Sequence, residues 1–171
     1  MPTSLDKPPE DAEARLLIGS RIVPGESEKA DEFPALIEQL LPGYSTSKSG
    51  EGGIAILADY HDRPALRTHP VSRTEPTVLT TTTALPTAAT VKLRLTVAPH
   101  EQGDWQLVVN VNGETRHQSI VKRNGRHVEW RDITIDLSHL AGQAVTIDLL
   151  NKGNDWSNEF AYWNAVEIVA E

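Results

Sequence analysis

Residues 153–163, GNDWSNEFAYW, gather Trp156, Phe160, Tyr162 and Trp163 beside the carboxylates of Asp155 and Glu159 and the amides of Asn154 and Asn158. Aromatic residues make up only 5% of the chain, so this density asks for a reason. An indole face stacks on the apolar face of a pyranose, while carboxylates and amides hydrogen-bond its hydroxyls. Trp156 suits that chemistry because it falls in a polar loop, NKGNDWSNE, and not on a strand. Asn154, Asp155 and Glu159 would supply the hydrogen bonds. The competing reading is that Trp156 folds back to cap the core. Phe160 and Tyr162 share one face of a strand beginning at Phe160, and rings of this size dominate core packing, so both are expected to be structural.

Other side chains extend this candidate site. His69 and His100 sit at turns before strands and are expected to converge at one end of the fold, near Asp104. Arg67 would approach from the same neighbouring loop. Trp130 precedes RDITIDL with the parity opposite to Ile133, which makes it an exposed second stacking platform. Trp105 has the parity of Leu107 and Val109 and is expected in the core. None of the six histidines forms an H-x-H pair or an H-E-x-x-H metal motif. Calcium takes oxygen ligands, for which Asp155, Glu159 and Glu167 are the acidic candidates, without EF-hand spacing. No G-x-S-x-G elbow and no P-loop is present. Paired carboxylates for glycosidic cleavage can come from distant strands. With no recognisable nucleophile or metal cluster, the expectation is a binder and not an enzyme.

The elements that must position these residues are mostly strands. Val91, Leu93, Leu95 and Val97 alternate with Lys92, Arg94 and Thr96, and the same period of two runs through 105–111, 133–137 and 145–149. Each run reads as a half-buried antiparallel strand. VLTTTTAL is β-branched and reads as another. Asn112-Gly113 marks a two-residue hairpin and Asn124-Gly125 a second turn. Across the hairpin, Val109 should face Arg116 and Leu107 should face Gln118. ETRHQSIV is too polar to be buried there and reads as an edge strand. The strand from Phe160 splits into Phe160, Tyr162, Asn164, Val166 and Ile168 on one face and Ala161, Trp163, Ala165, Glu167 and Val169 on the other. Both faces are partly apolar, which predicts a central strand. About eight strands are expected in all. Before them, Ala30, Phe33, Ile37, Leu40 and Leu41 follow helical spacing, with Asp31 as N-cap, Pro34 in the first turn and Pro42-Gly43 as the stop.

Length and charge bound the rest. The 171 residues suffice for one domain with a hydrophobic core. A formal net charge of −8, from 16 basic and 24 acidic residues, argues against nucleic acid or an anionic membrane as partner. The absence of cysteine excludes disulfides, thiolate metal sites and cysteine nucleophiles. Residues 1 to about 14 read as a loose arm, the start MPTSLDKPPEDAEARLL reads as no signal peptide, and no apolar run approaches the length of a spanning helix. Export stays open if the chain is a fragment of a larger protein.

HPVSRTEPTVLTTTTALP, APHEQGDWQLVVNVNG, WRDITIDLSHLAGQAVTIDLLN and NDWSNEFAYWNAVEIV follow in order. Together they resemble the galactose-binding-like β-sandwich modules of multidomain proteins in planctomycete-type bacteria. The H-x-x-G-D-W turn at 100–105 and the D-W-S-x-E-x-A-Y-W run carry the resemblance, which covers residues 54–171. Glu101-Gln102 stand where a His-Pro or Asp-Pro step is expected. The resemblance implies an all-β, jelly-roll-type antiparallel sandwich over 54–171, with residues 1–53 an arm and an amphipathic helix packed on it. It further implies a glycan ligand and no required cofactor, and it allows a structural calcium. The expected function is a non-catalytic carbohydrate-binding module, with Trp156, Asp155, Asn154, Glu159, Asp104, His100, His69, Arg67 and Trp130 at the site. The acidic composition favours a neutral glycan over an anionic one. The alternative is a structural or protein-interaction domain, with a neighbouring domain or protein as partner.

Overall fold

The computed structural model describes residues 22–171, so the expectations of a loose arm and of no signal peptide fall on residues outside it. Among the described residues, ten strands form two antiparallel sheets. They are β1 (Gly25–Ser27), β2 (Ile54–Tyr60), β3 (Arg63–Thr68), β4 (Thr77–Ala84), β5 (Val91–Pro99), β6 (Trp105–Val111), β7 (Glu114–Val121), β8 (Arg131–Asp136), β9 (Ala144–Lys152) and β10 (Ala161–Ala170). The larger sheet runs β1-β2-β3-β10-β5-β8 and the smaller β4-β9-β6-β7. The all-β sandwich is therefore as expected, with two more strands than the sequence pattern suggests.

The period of two explains the layers. On β5, Val91, Leu93, Leu95 and Val97 are buried, and on β9 Val145, Ile147 and Leu149 are buried opposite them. Each such side chain contributes about 1.5–3 kcal/mol when fully withdrawn from water. Trp105 and Trp163 meet inside with ring centroids 5.1 Å apart. Trp105 donates its indole N–H to Ala98 O at 3.1 Å, and Trp163 donates to Thr68 Oγ1 at 3.1 Å. A buried indole needs such an acceptor.

The short helix α1 (Phe33–Glu38) turns Phe33 and Ile37 into the same core, and Leu41 follows one turn later. Asp31 is not its cap. Residues 30–32 form a 3-10 turn that leads into the helix, and Glu32 holds the N-cap position without a side-chain hydrogen bond. Pro34 in the first turn costs nothing there, since its missing N–H would have no helical partner.

Two bulges change which way side chains point. In β7 the register shifts between Val109 and Asn110, so Val109 faces His117 and Leu107 faces Ser119. The pairing expected with Arg116 and Gln118 is thus off by one. Arg116 is the extra residue and pairs with Glu114 at 3.0 Å. The strand does lie at the edge of its sheet. In β10 the shift falls between Trp163 and Ala165. Asn164 is the extra residue there, with its amide donating to Pro64 O at 2.9 Å. Parity inverts after it. Val166 and Ile168 join the main core on the side of Ala161 and Trp163, not on the side of Phe160 and Tyr162. β10 is central, between β3 and β5.

Before the bulge, the outer side of β10 carries its own small apolar cluster. Tyr60, Ala65, Ala98 and Tyr162 are buried there, with Leu57, Val128, Trp130 and Phe160 packed around them. Tyr60 and Tyr162 stack in parallel, centroids 3.7 Å apart. Val128 and Trp130 come from the connection between β7 and β8, which folds over this face. Among the described residues, no helix is long and apolar enough to cross a membrane.

Candidate functional site

Three connections meet at one end of the sandwich: those after β3, between β5 and β6, and between β9 and β10. A buried polar chain ties them together. Thr68 Oγ1 donates to Asn151 Oδ1 at 2.8 Å, and Asn151 Nδ2 donates to Glu159 O at 3.2 Å. Thr68 and Asn151 are both fully buried, so these bonds replace water that neither can reach. Gly103 lies against the carbonyls of Ser157 and Asn158 so closely that a Cβ on it would sit 2.3 Å from each. Only glycine permits that approach. The H-x-x-G turn is closed by Gln102 N donating to His100 Nδ1 at 3.0 Å and by Gly103 N donating to His100 O at 3.3 Å.

Glu159 organises the last of these loops from beneath. It has no solvent exposure, and its carboxylate accepts the backbone N–H of Asn154 and, at 2.8 Å, that of Ser157. Those two donors flank Asp155 and Trp156. The loop is thereby bent so that Trp156 has φ 62° and Asn158 φ 52°. Asparagine tolerates the left-handed region, but tryptophan there is strained, by about 1–2 kcal/mol. Burial pushes the Glu159 carboxyl up to about 7, with Asp155 adding to the rise against the two N–H bonds, which oppose it.

The exposed side of the loop is polar. Asn154 Nδ2 donates to Asp104 Oδ1 at 3.0 Å, and Ser157 N donates to Asp155 Oδ1 at 3.1 Å. The carboxylates of Asp104, Asp155 and Glu159 offer oxygens that all lie within 4.8 Å of one another. An all-oxygen, acid-rich set suits calcium and not zinc. Burial chiefly, and the neighbouring Asp155 to a lesser degree, disfavour the charged Glu159 carboxyl, and a cation held by these oxygens would offset both, so these residues fit such an ion. Glu167 lies outside the trio, on β10 opposite Arg94.

The aromatic groups run in a row beside this polar rim. Trp156 is half-buried and meets the His69 ring edge-on at 5.3 Å, while the Arg73 guanidinium lies over the indole at 5.5 Å. His69 and His100 do converge, on Phe160: their ring centroids lie 4.7 and 5.5 Å from it. Phe160 is half-buried, and the Arg67 guanidinium stands 5.1 Å above it. It belongs to the outer cluster and not to the inner core. Arg67 also donates to Glu26 at 2.9 Å. The His69 Nδ1 donates to Pro70 O at 2.8 Å, which fixes its tautomer. Burial lowers the His100 pKa; nearby Glu101 opposes that, while Arg67 and Arg123 lower it further.

Trp130 stands apart, on the outer face. It is half-buried, edge-on to Tyr60, donates its N–H to His61 O at 3.0 Å, and has Arg63 over it at 5.7 Å. Eight of the nine expected site residues, all but Trp130, thus lie around the three loops. Sequence reasoning did not single out Arg73, which is exposed and held by Trp156, or Gly103, whose only signal was its place in the H-x-x-G-D-W turn.

No family model matches the chain, and no curated protein matches it in sequence. Solved structures with the same fold do. The K1 cleaved adhesin domain of Lys-gingipain from Porphyromonas gingivalis W83 is 14% identical, with a TM-score of 0.55, over 87% of this chain and 98% of that one. A cyclase from Fischerella sp. TAU is 12% identical, TM-score 0.52, over 87% and 97%. The C-terminal domain of EclA, a sugar-binding protein, is 11% identical, TM-score 0.50, over 71% and 89%. At these identities the likeness is one of fold.

Proposed function

We propose that this chain is a non-catalytic carbohydrate-binding module whose site is the loop end around Trp156. The observation that carries this reading is the left-handed backbone of Trp156, enforced by the buried carboxylate of Glu159. Strain of this kind persists where the surroundings over-determine it, and it gathers at ligand sites. Here it sets a large indole beside the exposed groups of Asn154 and Asp155 and the half-buried Asp104. A sugar ring stacks on the indole after the Arg73 guanidinium swings aside, and Asn154, Asp155 and Asp104 bond its hydroxyls. The sugar-binding and adhesin neighbours support this reading at the level of fold.

Catalysis is not part of the reading. Glycosidic cleavage needs two carboxyls that flank a bond and reach it. Glu159 has the raised pKa of an acid catalyst but no solvent exposure and two backbone donors. Calcium, where bound, would be held by Asp104, Asp155 and Glu159 and would supply rigidity to the loop.

The test is a tryptophan-fluorescence titration of wild type and Trp156→Gly with a panel of soluble neutral and charged oligosaccharides. A saturable change lost in the variant, with an unchanged melting temperature, supports the reading. No response from any sugar, with a large loss of stability in the variant, refutes it and favours a structural or protein-interaction domain.

A further inference from the structure

The chain is acidic as a whole, yet residues 122–131, KRNGRHVEWR, carry Lys122, Arg123, Arg126 and Arg131 against the single carboxylate of Glu129. That is four of the sixteen lysines and arginines in ten residues. This segment connects β7 to β8 and folds over the outer face of the larger sheet, turning at Gly125 with φ 63°. It bounds two clefts. One, of about 490 Å³, is lined by His61, Glu101, Gln102, Arg123, Arg126 and Val128, among others. The second, of about 450 Å³, is lined by Lys122, Arg123, Glu129, Trp130 and Arg131, among others. Arg123 borders both.

The acids nearby do not neutralise these cations. Glu101 pairs with His61 at 3.1 Å, Glu129 accepts from Asn124 Nδ2 at 3.1 Å, and Asp132, which also lines the second cleft, accepts from Thr96 Oγ1 at 2.8 Å. Among the described residues, Lys122, Arg123 and Arg126 make no ion pair. Arg131 donates to Ile120 O at 2.9 Å, which holds it in place. Unpaired arginines grouped at a cleft cost the fold through repulsion, and a guanidinium matches sulfate and carboxylate oxygens with two parallel hydrogen bonds.

The first cleft also touches the loop end. Gln102 lines it, and the Gln102 carbonyl accepts from Asn158 Nδ2 at 3.5 Å in the loop that carries Trp156. His100 lies 5.5 Å from Phe160 and within the field of Arg123, so a chain of sugars extended from Trp156 across Phe160 and past His100 would reach this cleft. We infer that the module takes an anionic glycan, with Arg123 and Arg126 binding a sulfate ester or a uronate carboxylate on a residue next to the one stacked at Trp156. This inference rests on the glycan-binding reading of the loop end. It departs from the preference for neutral glycans drawn from net charge, because net charge averages over a surface whose basic groups are gathered in one place.

Dextran, dextran sulfate and carboxymethyl-dextran of equal length, titrated alongside the neutral oligosaccharides, test it. The proteins are wild type, R123Q/R126Q, and R116Q as a control on the edge strand, each checked for an unchanged melting temperature. The expected result is that an anionic dextran binds wild type and R116Q at least about tenfold more tightly than dextran does, and that R123Q/R126Q loses that advantage. Whether the sulfated or the carboxymethylated polymer is preferred identifies the anion. Equal loss in R116Q, or an advantage that survives in R123Q/R126Q, overturns the inference by showing diffuse charge attraction. If neutral oligosaccharides bind through Trp156 but neither anionic polymer gains, the anionic inference fails and the glycan-binding reading stands. If nothing binds at all, both fail.

Discussion

Replacing Trp156 by glycine separates a displayed ring from a core plug. The residue holds φ at 62°, where a side chain costs about 1–2 kcal/mol that glycine does not incur. Glycine in turn forfeits about 0.5–1 kcal/mol through the greater freedom of its unfolded chain. The half-buried ring loses its contacts with His69, Gly153 and Arg73, and for a partly exposed loop aromatic that is well below the 3–5 kcal/mol lost when a core ring is truncated, about 1–2 kcal/mol. These terms nearly cancel, so Trp156→Gly is expected within about 1 kcal/mol of wild type, or within about 4 °C in Tm for a domain of this size. Trp156→Ala loses the same contacts and keeps the strain. It should therefore be the less stable of the two, by about 0.5–1 kcal/mol, reversing the usual order of alanine over glycine. Calorimetry of the three proteins, with sugar titrations on each, reads both quantities. A glycine variant destabilised by more than about 3 kcal/mol would make the ring part of the core. A glycine variant less stable than the alanine one would refute the strain argument.

Further expectations concern the same loops. The Glu159 carboxyl titrates near 7 in the fold against 4.5 ordinarily, so its contribution to stability is full below about 4.5 and is lost as pH rises to about 7. Each pH unit across that window costs the fold up to about 1.4 kcal/mol, and the slope should vanish in Glu159→Gln when Tm is followed against pH. Calcium would favour the charged Glu159 carboxyl that burial disfavours. Millimolar calcium at pH 7.5 should raise Tm, and neither Asp155→Asn nor wild type at pH 5 should respond as strongly, which differential scanning fluorimetry with a chelator control measures. Gly103→Ala places a methyl 2.3 Å from two carbonyls, forcing the β5–β6 loop away from the β9–β10 loop. It should weaken sugar binding by about tenfold or more while the core signal of Trp105 and Trp163 in near-ultraviolet circular dichroism persists, because a shift of about 1 Å in a binding constellation is enough for such a loss.

Much of the sandwich was legible in the chain, because alternation along a strand is a local property. Val91 to Val97, Trp105 to Val111 and Val145 to Leu149 are buried as their parity demands. The polar run 114–121 lies at a sheet edge for the same reason. Within the site, the loop placement of Trp156 and the gathering of His69 and His100 at one end could also be read, since turns before strands gather at the ends of a sandwich, though the two rings pack on Phe160 and not on Asp104.

What tertiary structure decided begins with the bulges at Arg116 and Asn164, which no alternation pattern announces, because an inserted residue looks like any other until its partner strand is known. The bulge at Asn164 moved Val166 and Ile168 into the core, and the one at Arg116 shifted the partners of Val109 and Leu107 by one. The partners of Glu159 were likewise out of reach of the sequence. Its burial, its grip on the Asn154 and Ser157 amides and its nearness to Asp104, some fifty residues away, exist only once the loops leading into β6 and β10, strands of opposite sheets, come together. Composition set the net charge; only folding laid the four cations of 122–131 along two clefts, because electrostatic fields depend on where charges stand and not on how many there are.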